Sequence, residues 1–540
     1  MPHSLSSEKS IQHDPAETND SPAEEHPANN DTQATSADAG VQMKDTSQEE
    51  SKAMKDEPDS GEEEKLKLDD MFDGDSDSDE FMGSSAKTNS QANIPKSSPI
   101  AAEPMQLAPS GKYSDPEIMY AFYSRLFPFR YLFQWLNHGI KPAPDFGNRE
   151  FAFTLQNDAY LRYQSFPTAD LLRKEILRLN PSRFEIGPQY TTNPRDRKML
   201  RKSTVFRPLA KELVFDIDLT DYDEIRTCCD KTNICHKCWS FITMAIKVMD
   251  AALRDDFGFR HIMWVYSGRR GAHCWVSDKK AREMDDAKRR ALAGYLELIK
   301  GGSQSGKKVK VKRPLHPHVQ RSLDILKEYF PSTILQAQNP FHTPTQSSRL
   351  LTLLPDAPLN TALQKKWDSA PGRPSTSKWA DIDALAKAGS SKSLDPKALL
   401  EAKQDIVLEY TYPRLDVEVS KKQIHLLKSP FVVHPGTGRV CVPIDVSKTE
   451  EFDPLGVPTV TQLLGEIDAW DKEHGSADSA NSTDPETEPP SQLLKDEKKI
   501  LDYEKTSLKP YVEFFKAYVS DLLRDERPVK REREESSMEF

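Results

Sequence analysis

A mixed α+β fold is predicted by three observations. Apolar residues alternate with period two within 150–166, 212–220 and 261–277. A face with helical spacing lies between the second and third of these segments, at 240–253. Strand patterns return after residue 413, beyond a long helical block, so helices are inserted into a sheet domain rather than alternating strictly with its strands.

Taken in order, the first periodic pattern starts soon after Pro109. Ile118, Ala121, Phe122, Leu126 and Phe127 recur at helical spacing, and an aromatic-rich segment continues through Leu136. Glu150–Leu155 reads as a strand, Tyr160–Phe166 as its hairpin partner, and Asp170–Leu179 as a short amphipathic helix. The clearest strand is Glu212–Thr220. Phe241, Ile242, Ala245, Met249 and Ala252 mark a helix that Gly258 follows. His261–Tyr266 and Gly271–Ser277 are strands around Ser267-Gly268-Arg269-Arg270. Helices are predicted over Ala287–Lys300 and around Val319, Leu323, Leu326 and Phe330, whereas the Ala/Ser-rich stretch 367–395 reads as a loose insertion. Arg414–Val419 reads as a strand, Phe431–His434 and Arg439–Ile444 as a hairpin around Pro435-Gly436-Thr437-Gly438, and Leu508–Leu523 as a final helix.

Charge divides the chain. Of its 540 residues, the first 100 hold 24 acidic residues against 8 lysines and no arginine, whereas the other 440 hold 61 acidic and 66 basic residues. The acidic segment has no Trp or Tyr and only two Phe, too little apolar area to offset chain entropy, so it is predicted to be disordered. The expected organisation is an acidic tail over 1–110, a catalytic domain in two parts over 111–297 and 413–471, an inserted helical subdomain over 298–412, an acidic linker over 472–500, a C-terminal helix over 501–525 and a charged tail over 526–540. No apolar run approaches 18 residues, which excludes a membrane-spanning helix, and the N-terminus lacks the pattern of a secretory signal. Six cysteines in this length do not suggest a disulfide scaffold.

Candidate chemistry begins with Phe215-Asp216-Ile217-Asp218-Leu219. Residues i and i+2 share one face of a strand, so Asp216 and Asp218 point together away from the core formed by Leu213, Phe215, Ile217 and Leu219. Paired carboxylates repel unless cations sit between them, and oxygen-rich sites suit Mg²⁺ or Mn²⁺. Asp416 becomes a third carboxylate if Arg414–Val419 lies beside the first strand. Three carboxylates suit two cations about 4 Å apart, the arrangement for in-line displacement at phosphorus.

Ser267-Gly268-Arg269-Arg270-Gly271-Ala272-His273 combines a turn that lets backbone approach an anion with two forked donors. Lys428 and His434 are candidates for further positive charge. Cys228, Cys229, Cys235 and Cys238 supply four thiols for a closed, structural zinc site, with His236 as an alternative ligand, while Cys274 and Cys441 read as core residues. Lys307, Lys308, Lys310, Lys312 and Arg313 form a basic run that reads either as a solvated loop or as a nucleic-acid track.

Glu212–Asp223, the cysteine cluster, Trp264–Val276, Arg414–Ser420 and His425–Pro435 occur in this order, extended by Leu126–Tyr131 and Phe452–Thr459. The set, spanning about 112–525, resembles the small catalytic subunit of eukaryotic DNA primase, within the archaeo-eukaryotic primase family. The resemblance implies a primase fold, with an RRM-like catalytic palm and a small helical subdomain. It implies synthesis of short RNA primers on a single-stranded DNA template from ribonucleoside triphosphates, in the nucleus. Asp216, Asp218 and Asp416 match its catalytic triad for two Mg²⁺ or Mn²⁺ ions, and Cys228, Cys229, Cys235 and Cys238 match its ligands for one structural Zn²⁺. Ser267, Arg269, Arg270, His273, Arg414, Lys428 and His434 match nucleotide-contacting positions, and Glu150 and Arg162 match positions tied to nucleotide placement and initiation. The implied partners are a large iron–sulfur primase subunit and the catalytic and accessory subunits of DNA polymerase α. A related repair polymerase and a non-catalytic, zinc-stabilised single-strand binder are the competing readings. The acidic extension lies outside the resemblance. Within it, Leu68, Met71 and Phe72 share one helix face near Ser76 and Ser78, a candidate docking helix tuned by phosphorylation; the competing reading is a solvating acidic tail.

Overall fold

The computed structural model describes residue 113 and residues 115–200, 205–299, 308–475 and 500–526. The candidate docking helix and most of the acidic linker and charged C-terminal tail lie outside the described residues.

Two antiparallel sheets organise the fold. Strands β1 (Arg149–Thr154), β2 (Tyr160–Gln164), β3 (Arg183–Tyr190) and β4 (Pro208–Ala210) run in the order β2-β1-β3-β4. The second sheet contains β5 (Leu213–Asp218), β6 (Ile262–Tyr266) and β7 (Gly271–Val276); β8 (Leu427–Lys428) returns to pair with β3, and β9 (Pro443–Ile444) with β6. The second order is β5-β7-β6-β9, so the hairpin β6–β7 places the turn 267–270 at the end of β5. On the first sheet Phe151, Phe153, Phe184 and Ile186 enter the core. The register Ala152↔Glu185↔Lys428 puts those three residues in one row on the other face.

Helices cover both sheets. The N-terminal helices α1 (Pro116–Arg125), α2 (Phe129–Asn137) and α3 (Pro144–Gly147) precede β1, and α4 (Ala169–Leu179) follows β2, capped where the Thr168 hydroxyl accepts from the Leu171 amide. The long helix α5 (His236–Asp255) joins β5 to β6, and α6 (Lys279–Arg282) and α7 (Asp286–Leu296) follow β7. The helical block expected between the sheet segments contains α8 (Pro317–Tyr329), a π-helical turn at Phe330–Gln338, α9 (Pro344–Thr352), α10 (Ala357–Asp368), α11 (Ser375–Lys387) and α12 (Pro396–Thr411). Its two ends meet where the Tyr412 hydroxyl donates to the Leu296 carbonyl at 2.8 Å. The remaining helices are α13 (Val417–Lys421), α14 (Val460–His474) and α15 (Lys509–Asp525). The last packs on α2, with Phe515 edge-on to Trp135 at 5.8 Å.

Four expectations change. Arg414–Val419 is not a strand: Asp416 makes one bridge to Asp216 and then caps α13, accepting from the Glu418 amide at 3.0 Å. Three alternating apolar residues are too few to separate a strand from a single helical turn, and the cap decides for the turn. The stretch 367–395 is not a loose insertion. It contains α11, where Ile382 is buried and Asp381 accepts from Trp367 Nε1 at 3.0 Å and from Arg373. Alanine is as compatible with a packed helix as with a loop. Within the basic run, Lys308 is buried and paired with Glu224, and Arg313 donates to Asp405 at 2.7 Å, so these two are structural cations rather than a solvated surface. Finally, α14 runs three residues into the segment expected to be linker.

Candidate active site and metal centre

Asp216 and Asp218 project from β5 into the space beside the 267–270 turn, and both are only partly buried, whereas Phe215 and Ile217 are core. Asp416 arrives from beyond the helical block, and its backbone N–H donates to the Asp216 carbonyl at 3.2 Å. A backbone bridge therefore brings Asp416 beside Asp216, two residues from Asp218, rather than the neighbouring strand expected from sequence.

A fourth carboxylate was missed by sequence reasoning. The 3₁₀ turn Leu219–Tyr222 folds Asp221 back towards the cluster. Burial and the charges of Asp218 and Asp416 push its carboxyl up to about 6. The spacing Asp-x-Asp-x-x-Asp was the available signal. A site in which carboxylates oppose one another's ionisation fits divalent cations, because a cation removes the repulsion.

Arginines edge the acidic cluster. Arg270 Nε lies 2.8 Å from each Asp218 oxygen, so this residue orients a carboxylate as well as carrying positive charge to the turn. Arg414 Nη1 donates to the Asp221 carbonyl at 3.0 Å. Its Nε and Nη2 are buried with no hydrogen-bond partner, two donors suited to anionic oxygens. The turn itself is tightly built. Gly268 has φ +90°, and a Cβ there would lie 2.6 Å from His434 Cβ. At Gly271 a Cβ would meet the Ile217 carbonyl oxygen at 2.3 Å. Ser267 is engaged within the turn, its hydroxyl accepting from the Gly271 amide at 3.0 Å.

His273 faces Asp216 across the β5–β7 pair, with Nε2 at 3.6 Å from Oδ1. Burial and the nearby charge of Lys428 lower its imidazole to about 3, so the contact is between a neutral ring and a carboxylate. Burial, with Lys428, Arg269, Arg183 and Arg270, likewise keeps His434 neutral. Both rings hold shape and polarity without charge. Lys428 stands on β8 opposite Glu185, within electrostatic reach of both histidines.

Glu150 and Arg162 lie on the first sheet. Glu150 is fully buried and accepts from Arg162 Nε at 3.1 Å, the Tyr163 amide at 3.1 Å and the Tyr190 hydroxyl at 2.9 Å. Behind it a second buried pair, Arg149 with Glu212 at 2.8 Å, ties β1 to the residue just before β5. Neither Arg149 nor Glu212 was singled out from sequence, because nothing local marks a buried ion pair.

The four clustered cysteines do come together: their sulfurs all lie within 4.8 Å of one another. Burial and Cys235 push the Cys229 thiol up to about 12, the mutual opposition that a bound cation relieves. His236 takes no part, since its Nε2 sits 3.0 Å from Asp453 on the surface. Two donors support the sulfurs. Arg226 Nη1 lies 3.8 Å from Cys238 Sγ, and Gln338 Nε2 3.4 Å from Cys228 Sγ. Gln338 closes the π-helical turn, and its Oε1 also accepts from the Thr227 and Cys228 amides at 2.8 and 3.3 Å, so the helical block clamps the cysteine loop. The donor set, four thiols with N–H groups aimed at them, fits a closed tetrahedral zinc site.

An α+β protein with an acidic cluster under an arginine-bearing turn and a separate thiol centre is thus defined. The family model for the DNA primase small subunit matches residues 215–446, which include the aspartates, the turn and all four clustered cysteines. The chain is 52% identical over 431 residues to the DNA primase small subunit of Schizosaccharomyces pombe, covering 79% of this chain and 93% of that protein. It is 43% identical over 419 residues to that of Saccharomyces cerevisiae (77% and 94% covered) and 39% identical over 440 residues to that of Drosophila melanogaster (79% and 95% covered). The chain belongs to the DNA primase small subunit family.

Proposed function

We propose that this chain is the catalytic subunit of a primase, joining ribonucleoside triphosphates into short RNA primers on single-stranded DNA. The observation that carries the reading is the backbone bridge that sets Asp416 beside Asp216, next to Asp218 and under the turn of Arg269 and Arg270. In this reaction the 3′-hydroxyl oxygen of the growing strand attacks the α-phosphorus of the incoming nucleotide, the bond to the bridging oxygen breaks, and pyrophosphate leaves. Asp216, Asp218 and Asp416 would hold two Mg²⁺ or Mn²⁺ ions, which when bound activate the attacking oxygen and neutralise the leaving charge.

Around them the chain binds and orients the nucleotide. The buried donors of Arg414, with Arg269 and Arg270, take triphosphate oxygens. Neutral His273 and His434 wall the site, and Lys428 supplies charge from the first sheet. Glu150 fixes Arg162 for placing the initiating nucleotide. Cys228, Cys229, Cys235 and Cys238 would hold one zinc ion that keeps the 223–238 loop and the π-helical turn in register. The partners in this reading are a large iron–sulfur subunit and the catalytic and accessory subunits of DNA polymerase α, in the nucleus. The domain limits given from sequence, with an inserted helical subdomain over 298–412, belong to the same proposal.

The test is purified chain on poly-dT with Mn²⁺ and either ATP or dATP. Short oligoriboadenylates are expected. A preference for dATP would favour a repair polymerase, and no product would favour a non-catalytic binder.

A further inference from the structure

Beyond Arg162, the first sheet carries a basic and aromatic cluster, centred on Arg195, Arg197 and Phe206, to which the nucleotide site assigns no role. After β3 the chain turns through the 3₁₀ segment Pro194–Met199 and comes back along Val205–Arg207 into β4. Arg197 lies over the Tyr163 ring at 3.9 Å, Arg162 over the same ring at 4.9 Å, and Arg195 over Phe166 at 4.6 Å. Phe206 stacks on Tyr190 at 4.0 Å and 12°, and edge-on to Tyr163 at 6.1 Å. Arg195 and Arg207 are exposed and Arg197 half-buried.

This arrangement is held in a conformation that costs energy. Tyr163 has φ +60°, a left-handed backbone that an aromatic residue rarely adopts. It persists where the pairing of β1 with β2 shifts register, and where Glu150 accepts the Tyr163 amide. The effect is to turn the ring under Arg197. A guanidinium stacked on a ring is held flat and pre-organised, a geometry suited to recognising phosphate.

Position assigns the ligand. The bulge sets Arg162 and Tyr163 opposite Ala152, and the row continues through Glu185 to Lys428. Four strands at the usual spacing carry that row about 14 Å across the sheet. Its far end is within electrostatic reach of His273, the residue paired with Asp216. The row therefore joins the cluster to the nucleotide site, with Arg162 at one end and Lys428 at the other.

We infer that Arg195, Arg197 and Arg207 form a track for the phosphate backbone of the single-stranded DNA template, entering the site past Arg162. The inference rests on the template-directed reading above. Its occupant is an extended strand and not a nucleotide, because the cations are spread from the β2 side, where Arg195 and Arg197 lie over Phe166 and Tyr163, to Arg207 at the entry to β4.

The test uses the full chain and labelled oligo-dT, with affinity measured by fluorescence anisotropy over a series of salt concentrations. ATP binding is measured beside it. Arg195→Ala with Arg197→Ala and Arg207→Ala should weaken oligo-dT binding by about tenfold or more. The same variant should lower the slope of log affinity against log salt by about 2, at about 0.7 per phosphate contact. ATP binding should stay unchanged. The exposed single variants Arg195→Ala and Arg207→Ala should each lower the slope by about 0.7, which keeps the test open if the triple variant melts early. Wild-type affinity and slope in all of these would overturn the track, and an equal loss of ATP binding would move the cluster to the nucleotide site. Asp216→Ala provides the separation: it should keep oligo-dT binding and lose synthesis, so that a failed track and a failed enzyme assignment give different results.

Discussion

The backbone N–H of Asp416 donates to the carbonyl of Asp216, and the Asp416 side chain caps the helix that follows. One residue thus fastens the returning chain to β5 and contributes a carboxylate to the cluster. Asp416→Asn can still cap α13, because an amide oxygen also accepts there, but it loses the charge. Primer synthesis should fall by about 10²–10³-fold in Asp416→Asn and in Asp216→Asn, with unchanged circular dichroism. Near wild-type rates in Mg²⁺ would remove the triad.

Arg270 is bound to both oxygens of Asp218 and therefore links carboxylate geometry to the nucleotide turn. Arg270→Ala and Arg269→Ala are expected to weaken ATP binding by about tenfold or more, while oligo-dT affinity changes by less than about threefold. Equilibrium binding of the two ligands to each variant checks this; equal losses would place the turn on the template side.

One zinc per chain is expected from metal analysis, and its removal should loosen the 223–238 loop. Gln338→Ala takes acceptors from the Thr227 and Cys228 amides and a donor from Cys228 Sγ. It should cost about 2–4 kcal/mol of stability and weaken zinc binding by about 10–100-fold. Chemical denaturation and competition with a chelator measure the two effects, and a variant with wild-type zinc retention would detach the clamp from the metal.

Glu212 supplies a pH dependence. Burial alone pushes its carboxyl up, but Arg149 and the His138 ring, 3.5 Å away, outweigh burial and hold it well below the ordinary range. A lowered carboxylate contributes stability that is fully present above its unfolded value near 4.3 and is lost as pH falls through the folded value. Glu212→Gln leaves Arg149 buried against a neutral group, at a cost of about 3–5 kcal/mol at pH 7. The melting-temperature gap between variant and wild type should therefore narrow as pH drops below about 4. A gap independent of pH would show that the pair acts by shape alone.

The sequence was most legible where one short segment carries both pattern and chemistry. Alternation around Asp216 and Asp218 gave the strand and its outward pair, and the glycine-flanked turn after β6 gave the hairpin that β7 completes. Clustered cysteines were equally plain, because their spacing is local. What failed depends on tertiary context. Asp416 was placed on a strand because three apolar residues alternate, although a cap and one bridge suffice to bring it to Asp216. The central strand β3 went unread, since half-buried Arg183 and buried Glu185 break an apolar pattern. Arg149, Glu212, Asp221 and Gln338 gain their roles only from partners distant in the chain or from a fold-back of one turn. Arg195 and Arg197 sit on a turn without an apolar pattern of its own, and only the fold sets Phe166 and Tyr163 beneath them.

The most direct test of the carboxylate assignment is Mn²⁺ binding followed by electron paramagnetic resonance, with a non-hydrolysable ATP analogue present. Two ions per chain are expected at the wild-type site, and that pair should be lost in Asp216→Asn and in Asp416→Asn while the chain stays folded. Two site-bound ions retained in either variant would contradict the account.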